Sequence, residues 1–211
     1  MKQSKTIYHI ILDKSGSMQD CIDNTISGFN EQIQHIRKMA TTYEDQEITL
    51  GLTTFSDRSE LLFFDAPSDK ATLLSKNNYR PDGMTALLDA IGHTSLRIEE
   101  YMKSNRNLPT TAVVVILTDG HENSSTSFNL AEIRTLISRL EGTGNWTFSF
   151  IGATLDAAEV AESMAIKRQN SFAFDKSEMK SAVWNKLSDS MDLYFNKKQR
   201  GSKDLNLFDE K

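Results

Sequence analysis

The sequence predicts an α/β protein whose single domain contains a doubly wound, mostly parallel sheet. Short apolar segments rich in β-branched residues alternate with longer segments in which apolar residues recur every three or four positions. The first pattern is typical of strands and the second of amphipathic helices. One strand segment, Thr111–Leu117, is apolar after its first residue, as expected for a central parallel strand covered on both faces. Such alternation favours an open sheet with helices on both faces.

The length and composition fit one domain without a strong overall charge. The chain has 211 residues, and its formal net charge of -5 arises from interspersed acids and bases, unlike the basic patch of a nucleic-acid or membrane-surface protein. A single cysteine, Cys21, excludes an internal disulfide. The sequence has neither a signal peptide nor an apolar run of about 20 residues, which a membrane-spanning helix requires. These features predict a cytoplasmic protein with no nucleic-acid or membrane partner.

The first predicted strand leads into a polar loop. The apolar run Ile7–Leu12 is followed directly by Asp13, Ser15 and Ser17. Loops at the carboxyl ends of parallel strands line the crevice in which open α/β sheets bind ligands, so these three side chains are expected there. Their hard oxygen atoms suit Mg²⁺, Mn²⁺ or Ca²⁺ rather than zinc or copper.

An amphipathic helix and a hairpin follow this loop. Apolar residues at helical spacing predict a helix over residues 22–39. The segments 47–55 and 60–64 flank a turn and predict a hairpin, which places one antiparallel strand at the edge of the sheet. Asp57 and Asp82 are interpreted as turn residues, although Asp82 could also support a metal site from its outer shell. A short helix is predicted around Lys70–Ser75.

Two further candidate residues lie in the second half of the chain. Thr85 follows Gly83, and helical periodicity begins directly after it. Asp119 follows the buried strand 111–117. The remaining predicted elements are a helix over 130–140, a strand over 146–151, a short helix over 157–165, a short strand over 171–174 and a closing helix over 179–194.

The composition becomes polar after the closing helix. We predict a domain over residues 1–195 and a flexible C-terminal tail over 196–211. The tail segment Asp204–Phe208 resembles the short peptide by which bacterial proteins dock on the replication sliding clamp, without the usual leading glutamine. A tail that folds back onto the domain accounts for these residues at least as well.

Three separated motifs resemble the metal-ion-dependent adhesion site (MIDAS) of von Willebrand factor A (vWA) domains. They are Asp13-Lys14-Ser15-Gly16-Ser17, Gly83-Met84-Thr85-Ala86-Leu87 and Thr118-Asp119-Gly120, in the order of the family. The resemblance covers residues 6–195 and implies an intracellular prokaryotic or phage type of Rossmann-like vWA fold. It also implies a six-stranded sheet of order 3-2-1-4-5-6, whose switch point lies between the strands that carry Asp13 and Asp119. One departure is Met84, where the family often has a second glycine.

The resemblance further implies a set of five metal-site residues. Ser15, Ser17 and Thr85 would bind Mg²⁺, or Mn²⁺ or Ca²⁺, through neutral hydroxyls, while Asp13 and Asp119 would hold those hydroxyls and the metal waters or ligate in part. An Asp or Glu of a protein partner would then complete the coordination. The expected function is metal-dependent protein–protein interaction within a multiprotein complex, without catalysis. An ATPase, kinase or phosphatase is the kind of partner that the resemblance suggests.

Two other functions remain open. The first is a metal-dependent phosphatase or nuclease that uses Asp13 and Asp119. Against it, Ser15 stands where haloacid-dehalogenase phosphatases have a second acid, and the sequence has no phosphate loop, nucleophile elbow or zinc-peptidase helix motif. His121 and Glu122 are interpreted as residues of a solvent-exposed rim rather than as groups that act on a substrate. The second alternative is a metal-free scaffold that binds through a sheet edge or helical faces.

Overall fold

The protein is built around one central sheet. The computed structural model describes residues 2–153, 156–202 and 206–208, apart from the side chains of residues 178 and 180–182. The strands within these residues are β1 (Ser4–Asp13), β2 (Gln46–Phe55), β3 (Ser59–Pro67), β4 (Thr110–Thr118), β5 (Trp146–Gly152) and β6 (Ser171–Ala173). Their order is β3-β2-β1-β4-β5-β6, and β3 alone among these described strands runs antiparallel to its neighbour. The predicted sheet and strand order are confirmed.

Helices cover both faces of the sheet, as the sequence predicts. They are α1 (Ile22–Thr42), α2 (Leu87–Ser104), α3 (Leu130–Glu141), α4 (Ala157–Ser163) and α5 (Lys186–Gln199). One buried cluster joins α1 and α5 to the sheet, and a second joins α2, α3 and α4 to the opposite face. None of the helices that the structure describes has the length and hydropathy of a membrane span.

Strand β1 runs through the middle of the core. Because successive side chains of a strand point to opposite faces, Tyr8 and Ile10 enter the α1/α5 cluster while Ile7 and Ile11 enter the other. All four are at most 1% exposed. Burial of each such side chain contributes about 1.5–3 kcal/mol, so β1 forms a rigid base for the loop that follows it.

A buried histidine interrupts the apolar character of β1. His9 is fully buried and its Nε2 lies 2.8 Å from the Thr53 hydroxyl of β2. Gly51 is paired with His9 across the strands, and a Cβ added there would overlap the imidazole ring. Gly51 therefore provides the space that the histidine occupies.

The segment around Lys70–Ser75 differs from the prediction because it is irregular, between turns at residues 68–70 and 76–78, rather than helical. Its backbone is bound by side chains of α1 instead. The Asn30 amide donates to the Leu74 carbonyl and accepts from the Leu74 N–H, at 2.9 and 2.8 Å, and Arg37 donates to the Ser68 carbonyl. Backbone groups bound in this way are not available for a helical hydrogen-bond ladder.

The C-terminal region contains a helix that continues past residue 195 and a buried segment at residues 206–208, while the domain boundary stays a prediction. Helix α5 continues to Gln199, and Leu207 and Phe208 are buried against the domain. The Phe208 ring packs edge-on against Phe172 of β6, at 5.0 Å between centroids, and the Leu207 N–H donates to Asn170. The tail is therefore packed at residues 206–208, because two apolar side chains within a polar segment find an apolar partner. Residues 204 and 205 of the proposed clamp-docking segment lie outside the described residues, and that docking stays a prediction.

Candidate metal centre

The five residues expected to form a metal site lie together at one edge of the sheet. Asp13 is the last residue of β1, and Asp119 follows β4, its parallel neighbour. Thr85 lies two residues before α2. The carboxyl ends of β1 and β4 meet at the switch point of the strand order, where open α/β sheets bind ligands.

Asp13 organises the first loop from within the protein. Its side chain is fully buried; Oδ1 accepts the Ser15 N–H at 2.6 Å and Oδ2 accepts the Thr118 hydroxyl at 2.6 Å. The Tyr79 hydroxyl donates to the Asp13 carbonyl at 2.7 Å. Burial raises the pKa of Asp13 to about 6, against the opposing effect of the Thr118 and Ser15 hydrogen bonds. Asp13 thereby positions Ser15.

A chain of hydrogen bonds links the first loop to the loop after β4. The Ser15 and Ser17 hydroxyl oxygens are 3.0 Å apart, and the Ser17 hydroxyl donates to Asp119 Oδ1 at 2.5 Å. Ser15 and Asp119 are buried, whereas Ser17 is exposed. One side of this oxygen cluster therefore faces solvent.

Thr85 approaches the same cluster from the second loop. A Cβ added at Gly120 would lie 3.4 Å from the Thr85 hydroxyl oxygen and 3.5 Å from that of Ser17. The backbone of Thr85 is fixed by Asn123, which accepts the Thr85 N–H at 2.8 Å and donates its own N–H to the Thr85 carbonyl. Asn123 therefore holds the Thr85 backbone against the loop that follows β4.

The two turn acids support the second loop. Asp82 accepts the Gly83 N–H and Asp57 accepts the Met84 N–H, at 2.8 and 3.2 Å. Gly83 adopts a φ of +79°, which favours glycine, and a Cβ there would contact the Asp57 carboxylate. The Gly83 carbonyl accepts the Gly16 N–H at 3.0 Å. Met84, which replaces the second glycine, is 54% exposed and does not displace this loop from the first one.

Glu122 has a structural task at the rim. One of its carboxylate oxygens accepts the N–H groups of Ser124 and Ser125, and the other accepts the Ser125 hydroxyl and the Leu88 N–H. Glu122 thus satisfies an amide in the first turn of α2, where backbone donors lack helical partners. The expectation of a solvent-exposed rim holds for the neighbouring His121, whereas Glu122 is bound on both oxygens.

Lys176 is a member of the cluster that the sequence analysis missed. Its ammonium lies 2.5 Å from Asp119 Oδ2 and donates to the Ser17 carbonyl at 3.0 Å. Lys176 begins a short 3₁₀ turn, Lys176–Glu178, after the carboxyl end of β6. The available signal was topological, since every parallel strand of such a sheet ends at the ligand-binding edge.

The donor set fits a hard divalent cation. The cluster offers three hydroxyl oxygens and two carboxylates, which is the chemistry that Mg²⁺ and Mn²⁺ prefer. Over the described residues, no group of three or more His, Cys, Asp or Glu side chains could hold a metal ion. A zinc-type cluster of nitrogen and sulfur ligands is therefore not formed by that part of the chain, and a hydroxyl-based site is the one that these residues can provide.

Comparison with known families identifies the fold. The family model of the von Willebrand factor type A domain matches residues 9–189. The chain belongs to the vWA family. The matched region of this vWA domain contains all three loops that carry the candidate site residues. No curated protein sequence matches the chain.

Solved structures with the same fold come from diverse proteins. One is proximal thread matrix protein 1 from the mussel byssus, in a structure with a zinc-occupied MIDAS motif; its TM-score is 0.60 at 15% identity, over 86% of this chain and 47% of that one. The ArnB paralog VWA2 from Sulfolobus acidocaldarius has a TM-score of 0.54 at 18% identity, over 88% and 46%. The vWF domain of the type V pili tip protein Mfa5 from Porphyromonas gingivalis has a TM-score of 0.60 at 9% sequence identity. The match covers 92% of this chain and 96% of that one.

These structures share the fold with the present chain. At such identities the similarity extends to architecture and carries no information about partners. The chain spans about half of the mussel and Sulfolobus chains, with 47% and 46% of their lengths covered, and nearly all of the Mfa5 domain, with 96% covered. The vWA domain is thus found both as part of longer chains and as a separately crystallised unit.

Proposed function

We propose that this vWA domain is a metal-dependent protein-binding module without catalytic activity. Asp13, Ser15, Ser17, Thr85 and Asp119 would hold Mg²⁺, or Mn²⁺ or Ca²⁺, as a MIDAS. The observation that carries the proposal is the convergence of these five residues, from three separate loops, on one partly open edge of the sheet. The zinc-occupied MIDAS of the mussel protein with the same fold supports it.

The roles of the residues follow from their surroundings. A bound divalent ion would supply an electron-poor centre with a coordination position open to a carboxylate of a partner. Ser15, Ser17 and Thr85 offer neutral oxygens, so they would neutralise little of the charge of the ion. Asp13 and Asp119 fix Ser15 and Ser17 by hydrogen bonds at 2.6 and 2.5 Å, and such outer contacts orient metal ligands.

The partner would present an Asp or Glu side chain to the site. Family resemblance suggests an ATPase, kinase or phosphatase within a multiprotein complex of a bacterial, archaeal or phage cytoplasm. A metal-dependent phosphatase or nuclease is less well supported, because both oxygens of Glu122 hold backbone or hydroxyl groups and the residue is not available as a general base.

Calorimetric titration of EDTA-stripped protein with Mg²⁺ and Mn²⁺ tests the metal site. We expect saturable binding by the wild type and its loss in Thr85→Ala. The matched control Thr85→Ser keeps the hydroxyl and is expected to bind. Equal binding by Thr85→Ala and the wild type would remove Thr85 from the site, and an absence of binding in every form would contradict the metal-dependent function.

Partner capture tests the binding role. EDTA is expected to abolish retention of the partner, and excess Mg²⁺ to restore it. A metal-free scaffold is the second candidate, favoured by the Lys176–Asp119 ion pair that already neutralises one carboxylate. It predicts that capture is unchanged in EDTA and in Asp13→Ala, once the variant is shown to be folded.

A further inference from the structure

We propose that Lys176 is an internal cation that competes with the divalent metal for Asp119 and thereby sets the metal affinity of the site. The inference rests on the proposed metal-binding function. Lys176 lies outside the three vWA motif segments and reaches the cluster from the turn after β6.

The geometry places the ammonium within the oxygen cluster itself. Lys176 Nζ lies 2.5 Å from Asp119 Oδ2 and 3.0 Å from the Ser17 carbonyl oxygen. It therefore contacts two of the three loop segments of the site. The other oxygen of Asp119 accepts the Ser17 hydroxyl, so both carboxylate oxygens are bound when Lys176 is in this position.

The surroundings make this ion pair stronger than an ordinary surface pair. The Asp119 side chain is fully buried and that of Lys176 is 36% exposed. Exposed ion pairs are weakened by solvent and salt, whereas burial of one partner reduces this screening. Removal of the ammonium would leave a buried carboxylate with one fewer partner, which is costly.

A divalent ion and the ammonium cannot both occupy this position without repulsion. Two cations that approach one carboxylate repel each other strongly where solvent screening is low. Metal binding at Asp119 therefore requires that the Lys176 side chain move away. The backbone of Lys176 can stay in place during this movement, because Asp175 accepts the Ser177 N–H and hydroxyl at 2.8 and 2.6 Å and fixes the turn.

Two consequences follow for the protein without metal. The ammonium compensates the charge of Asp119. It thereby reduces the repulsion between the carboxylates of Asp13 and Asp119 when no metal is bound. The same compensation weakens the affinity for the ion that replaces it. The Lys176 ammonium thus pairs with Asp119 when the site holds no metal and is displaced from Asp119 when the metal binds.

Calorimetric titration with Mg²⁺ and Mn²⁺ of wild type and Lys176→Gln tests the proposal. Because Lys176→Gln removes the positive charge that repels an incoming ion at Asp119, we expect the Kd for Mg²⁺ to fall about tenfold or more. Lys176→Arg keeps the charge and should not show this gain. A matched control is Lys14→Gln, because Lys14 lies in the first motif but pairs with Glu60 at 2.7 Å.

Thermal unfolding provides a second measurement on the same proteins. In EDTA, Lys176→Gln should unfold at a lower temperature than the wild type, and saturating Mg²⁺ should raise its Tm by more, since a tighter ligand stabilises the folded state more at a given concentration. Equal Kd values for Lys176→Gln and wild type, or an equal gain in Lys14→Gln, would overturn it and leave the metal site intact. If all forms fail to bind either ion, the proposed metal function fails and the inference with it.

Discussion

Thr118 connects the buried acid of the site to the neighbouring strand. Its hydroxyl donates to Asp13 Oδ2 at 2.6 Å and also accepts the Gly120 N–H at 3.1 Å. One side chain thereby holds the two acid-bearing loops in register. This role was not predicted from the sequence, where Thr118 is named only as the first residue of the third motif, directly after the apolar strand.

Replacement of this hydroxyl tests the positioning role. Thr118→Val keeps the shape of the side chain but removes the hydroxyl that binds Asp13 Oδ2 and the Gly120 N–H. We therefore expect the variant to be destabilised by about 1–3 kcal/mol and to bind Mg²⁺ more weakly. Urea unfolding and calorimetric titration measure the two effects. Thr118→Ser should retain both properties. Wild-type metal affinity in Thr118→Val would show that the valine variant positions Asp13 equally well.

His9 is expected to make stability depend on pH. Burial lowers the pKa of His9 to about 3 from 6.5, so below pH 6.5 the unfolded chain binds a proton that the folded protein excludes. Stability from this group is full above pH 6.5 and is lost as the pH falls towards 3, by up to about 1.4 kcal/mol per pH unit.

Urea unfolding between pH 4 and pH 8 checks this expectation. We expect His9→Gln, which does not titrate, to show a flatter decline of the unfolding free energy below pH 6.5 than the wild type. The unfolding free energy of the variant can differ from that of the wild type at every pH, because the prediction concerns only how steeply this free energy changes with pH. Parallel slopes for the two proteins would mean that another group dominates acid unfolding.

At the scale of elements, the closing helix packs against α1 through a glycine. Its first part, Met179–Asn185, is a π-helical segment, and Trp184 from this segment is 1% exposed. A Cβ added at Gly28 of α1 would overlap the Trp184 indole ring. The Phe29 ring lies edge-on to the same indole, at 6.2 Å between centroids. Gly28 is thus required by tertiary contact rather than by helix conformation.

Gly28→Ala tests whether the contact with Trp184 or the helix propensity of the residue dominates at this position. Alanine favours an isolated helix over glycine by about 1 kcal/mol, but overpacking typically costs about 1–3 kcal/mol, and we expect net destabilisation here because the added atom meets a rigid ring. Chemical denaturation measures the sign. Ser27→Ala, next to it on α1 and half-buried, is the control and should be nearly neutral. A stabilised Gly28→Ala would show that Trp184 can move aside.

Such elements show where prediction from sequence succeeds and fails. The strands and long helices were predicted correctly because burial imposes a local period, as in Thr111–Leu117 and in the apolar positions of α1. The π-helical segment, the irregular segment at 70–75 and the position of Lys176 depend on contacts with residues far away in sequence. A local sequence pattern does not reveal such long-range contacts. The five candidate site residues were proposed from the three motifs that resemble the vWA family, and their role as metal ligands stays a prediction.

At the scale of the whole molecule, residues 206–208 close one end of the core. Phe208 packs on Phe172, and the ammonium of Lys186 lies 3.9 Å from the centre of the Phe172 ring and 5.4 Å from that of Phe208. This arrangement joins β6, α5 and the chain end. Clamp docking by the tail would require Leu207 and Phe208 to leave these contacts, so the packed state and the docked state are alternatives.

Phe208→Ala tests whether this packing contributes to stability. A large buried aromatic replaced by alanine typically costs about 3–5 kcal/mol. We expect a value at or below the lower end because the ring that Phe208 contacts, Phe172, is itself only partly buried. Differential scanning calorimetry measures the change, with Leu193→Ala, a 49% exposed residue of α5, as the control. Equal Tm values for wild type and Phe208→Ala would mean that the tail is detached in solution.

The two edges of the sheet differ in a way that limits unwanted association. Edge strands with unpaired backbone groups can recruit strands from other molecules. In the part of the chain that the structure describes, β6 offers only the three residues Ser171–Ala173, and β3 pairs irregularly with β2 and ends at Pro67. Neither edge provides a long, regular template for aggregation. The edge of the sheet at which the candidate site lies therefore differs from the two side edges, which are poor templates for strand addition.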